Sequence, residues 1–121
     1  MLIVKLDKEN SVALFEPVGS LDEKDFQAAA SSIDPFINTT GHLNGLIIHT
    51  ESFPGWDSFS ALVSHLQFVK DHQHKIKRVA LVTDSFIGSL LEKLADHFIE
   101  AEIRLFAYRE LEQAKQWVLA E

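Results

Sequence analysis

Short apolar runs alternate with longer amphipathic stretches along most of this chain. Residues 2–6 and 12–18 read as two strands, joined by the turn Lys8-Glu9-Asn10. So short a connection requires an antiparallel hairpin, which makes the first strand the odd one out. Beyond it lie three further apolar runs, 46–49, 79–83 and 103–108, each too short for a helix and each followed by an amphipathic segment. Parallel neighbours need a helical crossover. The pattern therefore predicts a single α/β domain over 1–121, with a five-stranded mixed sheet and four helices.

The punctuation between the runs agrees. Pro17 and Gly19 end the second strand, and Ser20-Leu21-Asp22-Glu23 has the spacing of a capping box. Phe26, Ala29, Ala30 and Ile33 form the buried stripe of a first helix, which Pro35 is expected to break before Gly41 and Asn44-Gly45 close the loop. Asp57 or Ser58 caps a second helix with a face of Phe59, Leu62, Val63, Leu66 and Val69. Asp84 caps a third, whose broad apolar arc runs from Phe86 through Ile87, Leu90, Leu91 and Leu94 to Phe98. Leu111, Ala114 and Val118 carry the last, with Trp117 beside them.

Composition narrows the classes of function. A chain of 121 residues with 46% hydrophobic content can bury one sizeable core. No apolar stretch is long enough to cross a bilayer, and the N-terminus lacks the basic start and cleavage site of a signal peptide, so a cytoplasmic protein is expected. With no cysteine there is no disulfide, thiol nucleophile or thiolate metal site. A net charge of −7 argues against nucleic acid as a partner, because phosphate contacts favour a basic surface.

The second half carries a family resemblance. Gly55-Trp56 precedes a helix containing Ala61-Leu62; then come Lys77-Arg78-Val79-Ala80-Leu81-Val82-Thr83-Asp84, residues 97–106 and Glu112-Gln113-Ala114-Lys115-Gln116-Trp117-Val118. In this order they resemble the SpoIIAA-like family of small bacterial proteins, relatives of the STAS domains. The resemblance implies a hairpin followed by β–α units wound as a superhelix, helices mainly on one sheet face, and kinship with folds that bind lipid-like molecules. Phosphorylated STAS relatives carry Asp-Ser, a second hydroxyl and a glycine at the start of the second helix. Here Asp57-Ser58 supplies the dipeptide but Phe59-Ser60 follows, so Ser58 is a candidate phosphorylation site against the plainer reading of a helix cap.

Ligand sites in parallel sheets form beyond the carboxyl ends of the strands. That rim is expected to gather Trp56, Phe59, Phe86, Ile87 and Leu90 as apolar contacts, with His49, Asp84 and Tyr108 as polar anchors. The expected ligand is a small apolar or amphiphilic molecule held between the second and third helices; the plainer reading is that Trp56 and Phe86 staple helix starts into the core. The alternative function is a STAS-like protein–protein regulatory module, switched at Ser58.

Other chemistry has less behind it. A Ser85–His49 pair lacks the Gly-x-Ser-x-Gly elbow, and no glycine-rich phosphate loop is present, so neither an enzyme nor a cofactor is expected. His65, His72 and His74 lack zinc-helix spacing. Lys70, Lys75, Lys77 and Arg78 form a basic cluster at the opposite pole from the rim, about 20 Å away along a helix. It reads as a solvated helix end and loop, or as a point of peripheral membrane contact.

Overall fold

The computed structural model describes residues 2–19, 21–41, 43–51, 76–84 and 102–120. Five strands form one sheet in the order β1-β2-β3-β4-β5: β1 (Leu2–Asp7), β2 (Val12–Pro17), β3 (Leu43–His49), β4 (Ile76–Val82) and β5 (Glu102–Phe106). β1 runs antiparallel to β2, and every later neighbour is parallel. The mixed sheet and its antiparallel first strand are as the sequence predicts. The hairpin turns tightly because Asp7 accepts hydrogen bonds from both the backbone and side-chain nitrogens of Asn10, with Ser11 at φ 57°.

Among the described residues there are two α-helices, α1 (Glu23–Thr40) and α2 (Leu111–Leu119), rather than four. The expected second and third helices fall on residues 52–75 and 85–101, outside the described residues. The two described helices cover opposite faces of the sheet. Ala29 and Ile33 of α1 close over Ala13, Phe15, Leu46, Ile48, Val79 and Leu81. Ala114 and Val118 of α2 close over Leu14, Ile47, Ala80, Val82 and Phe106. A strand's side chains alternate between faces, so a nearly continuous apolar run such as Leu46-Ile47-Ile48 feeds both cores.

Local details differ from the sequence reading, each for a physical reason. Pro35 does not break α1; it lies on the exposed side, where water can meet the carbonyl of Ser31 that loses its partner. The reciprocal cap at the start of α1 joins Asp22 and Asp25, each accepting the other's backbone N–H at 3.0–3.1 Å. Ser20 of the expected box lies outside the described residues. β3 starts at Leu43, three residues early, because Asn44 donates to Ser11 O (backbone, 2.8 Å) and to Asn10 O (side chain, 2.9 Å), locking the strand onto the hairpin. β5 ends at Phe106, and Tyr108 opens a short 3-10 turn whose Glu110 carboxylate accepts the Ala107 N–H.

The basic cluster also reads differently in space. Arg78 belongs to β4, not to a solvated loop, and its side chain is 13% exposed. Its guanidinium donates to the carbonyls of Trp117 and Ala120 and stacks 5.3 Å from the Trp117 ring centre. Lys77 is exposed, and Lys70 and Lys75 lie outside the described residues.

Candidate functional site

The parallel pairing of β2 with β3 brings their carboxyl ends together at one rim of the sheet. Phe15 pairs with Ile48, so Glu16 and His49, one residue further on, share the opposite face. There His49 Nδ1 lies 3.1 Å from Glu16 Oε2, and His49 Nε2 lies 3.1 Å from the backbone oxygen of Tyr108. A carbonyl can only accept, so Nε2 carries a proton and donates it to Tyr108. The two rings stack at 4.4 Å with an angle of 11°.

Lys5 of β1 adds an ion pair, its Nζ 3.3 Å from Glu16 Oε1. Partial burial pushes the Glu16 carboxyl up, but hydrogen bonds from His49 and Lys5 outweigh it and hold the pKa below the ordinary value. Tyr108 is fixed from both sides: Asp84 Oδ1 accepts its N–H at 3.0 Å, and His49 takes its carbonyl. Buried Thr50 donates through Oγ1 to Pro17 O and through its backbone to Val82 O, tying the ends of three strands.

These bonds frame a cleft of about 290 Å³, lined by apolar Ile3, Pro17 and Val18 and by polar Glu51, His49 and Tyr108. Of the residues expected at the rim, His49, Asp84 and Tyr108 are brought together. Trp56, Ser58, Phe59, Phe86, Ile87 and Leu90 lie outside the described residues. The sequence reading missed Glu16, Ile3 and Val18. Glu16 had a signal: it is the lone charge in the strand Val-Ala-Leu-Phe-Glu-Pro, placed on the same face as Leu14 by alternation. Ile3 had none, because only the hairpin pairing of Ile3 with Glu16 carries it to the rim.

Both nitrogens of His49 are committed, so its role is to hold the rim together rather than to reach a ligand. Ser85 lies outside the described residues. Among the described residues no three His, Asp or Glu side chains gather within metal-binding reach. His65, His72 and His74 lie outside them. No helix among the described residues is long and apolar enough to cross a membrane.

Sequence comparison bears on the same architecture. Residues 12–119 match the profile of the SpoIIAA-like family, nearly the whole chain from β2 onward. The chain belongs to the SpoIIAA-like family. No curated protein matches it. Among solved structures, this SpoIIAA-like chain is similar to an uncharacterised protein of the DUF3478 family from Shewanella loihica PV-4, described as having a SpoIIAA-like fold. The TM-score is 0.61 at 16% identity, covering 98% of this chain and 92% of that one. A likeness at that identity shows the fold alone. The SpoIIAA-like fold is that of a regulatory or binding module.

Proposed function

We propose that this SpoIIAA-like protein is a non-enzymatic binding module that receives a small apolar or amphiphilic molecule at the carboxyl rim of its sheet. The observation that carries the reading is the cleft between β2, β3 and the Tyr108 turn, which joins exposed aliphatic side chains to a hydrogen-bonded polar wall. Such a mixed lining, concave and beside the strand ends, suits a molecule with an apolar body and a polar end. A histidine held at both nitrogens supports binding over proton transfer. Trp56, Phe59, Phe86, Ile87 and Leu90 follow β3 and β4 in the chain and are the remaining candidates for apolar contact.

The test uses octanol and decanol with a Trp117→Phe variant, so that Trp56 alone reports. A ligand that binds only the folded state must raise its stability, by about 2.7 kcal/mol at a hundredfold excess over Kd. A saturable fluorescence change with matching thermal stabilisation is expected. No change in either defeats the reading.

Family membership favours a second reading, a STAS-like protein–protein regulatory module, for which Ser58 of Asp57-Ser58 is the candidate switch. Phosphate on Ser58 in protein from the native cell, with different partners retained by Ser58→Asp and Ser58→Ala, is its expected signature. Unphosphorylated Ser58 and identical partners remove the switch. Peripheral membrane contact is checked by co-sedimentation with anionic vesicles.

A further inference from the structure

We infer that the rim cleft selects an amphiphile with a cationic head, an amine or quaternary ammonium, over one with an anionic head. The inference rests on the cleft being the ligand site. Two carboxylates, Glu16 and Glu51, line it, and no lysine or arginine does so among the described residues. Glu16 is answered by Lys5 and His49. Glu51 is exposed and has no ion pair or hydrogen bond among the described residues, so its charge is free to meet a ligand. Asp84 adds a third carboxylate behind the wall, on the Tyr108 amide, while Arg109, exposed on the same turn, does not line the cleft.

The wall itself favours a cation. Tyr108 is held at its backbone N–H and carbonyl and stacked on His49, so its ring is a fixed aromatic surface beside the acids. The negative face of such a ring attracts ammonium groups, more strongly where the cation sheds water. Ile3 and Val18, 37% and 53% exposed, supply a surface for an alkyl body. The net charge of −7 draws cations toward the protein and repels anions at long range. An anionic head in the cleft would face Glu51, unpaired among the described residues, while the nearby Lys5 and His49 are already engaged by Glu16.

Octylamine, octanol and octanoate share one chain and differ only in the head, so calorimetric titration of each at pH 7, in low and high salt, tests the inference. Octylamine is expected to bind tightest, with its advantage over octanol shrinking as salt rises. Glu51→Gln is expected to weaken octylamine about two- to fivefold, the worth of one exposed charge pair, and to weaken octanol by less, since its head carries no charge. Glu51 is on the surface, so the variant folds. Octanoate binding as tightly as octylamine, or an octylamine affinity indifferent to both salt and Glu51→Gln, overturns the inference but leaves the binding module standing. Failure of all three compounds to bind defeats the module as well.

Discussion

Gly45 of β3 and Val118 of α2 meet at a point that admits no methyl group: a Cβ on Gly45 would lie 2.6 Å from the Cβ of Val118. The last helix rests directly on strand backbone there. That close approach lets Val118 and Ala114 bury themselves against Ile47 and Ala80 and fills one of the two cores. Gly45→Ala must push α2 outward and is expected to cost about 1–3 kcal/mol in urea unfolding, the usual cost of overpacking. Val118→Gly removes the Cβ that the new methyl meets, so it should couple favourably to Gly45→Ala, and a double-mutant cycle with no coupling would show that the contact is not the cause.

Arg78 secures the far end of the same helix. It places a cation against the C-terminal carbonyls of Trp117 and Ala120, where the helix dipole is negative. Arg78→Met keeps the stem but removes the donors, and a loss of about 1.5–3 kcal/mol is expected, the range for hydrogen bonds to charged groups. Trp117 fluorescence should shift toward that of an exposed indole. Arg78→Lys should not restore stability, since a single ammonium cannot reproduce the planar fork.

Asp25 makes folding sensitive to acid. The backbone N–H of Asp22 holds its carboxyl below the ordinary value of 3.8; burial pushes the other way, and the N–H of Leu2 adds to the lowering. A folded pKa below the unfolded one gives stability that is complete above about pH 5 and is lost as pH falls through the folded value. Asp25→Asn is expected to cost about 1 kcal/mol at pH 7, typical of a helix-start hydrogen bond. The gap between variant and parent should narrow as pH falls below the ordinary value of 3.8 and through the lower folded one. A gap that stays constant down to pH 2 contradicts this role.

His49→Phe preserves a ring to stack on Tyr108 and removes both hydrogen bonds, leaving the Tyr108 carbonyl without its donor. A loss of about 1–3 kcal/mol is expected. The more specific readout is hydrogen exchange at the Tyr108 amide, which Asp84 holds only while the turn keeps its place. Faster exchange there with little change at the hairpin amides is the expected pattern, and uniform acceleration would point to general destabilisation instead.

How much of this was legible beforehand can be judged residue by residue. The strands were visible because short apolar runs bounded by turn residues have few other ways to fold. The antiparallel hairpin followed from a connection too short for any crossover. Pro35 misled because helix-breaking is a local tendency, and an exposed carbonyl lets water take the place of the missing bond. Gly45 read as a loop closer, and Arg78 as part of a solvated basic patch, because linear context shows neither what packs above a residue nor what it can reach. At the rim, His49, Asp84 and Tyr108 were placed together by the rule that parallel strands end on a common side. Their bonding was not, since a pair such as His49 and Tyr108 is 59 positions apart in the chain.

The sequence alone determined the α/β class, the antiparallel hairpin and the end of the sheet at which polar groups collect, because these depend on periodicity and connection length. Only the tertiary structure decided that the last helix covers the face opposite α1. It also decided that Gly45 serves a helix contact, that Arg78 binds a helix end and that Glu16 and Lys5 join His49. Each of these depends on which atoms meet across the sheet, and an alternating strand offers its side chains to both faces until packing assigns a neighbour to each.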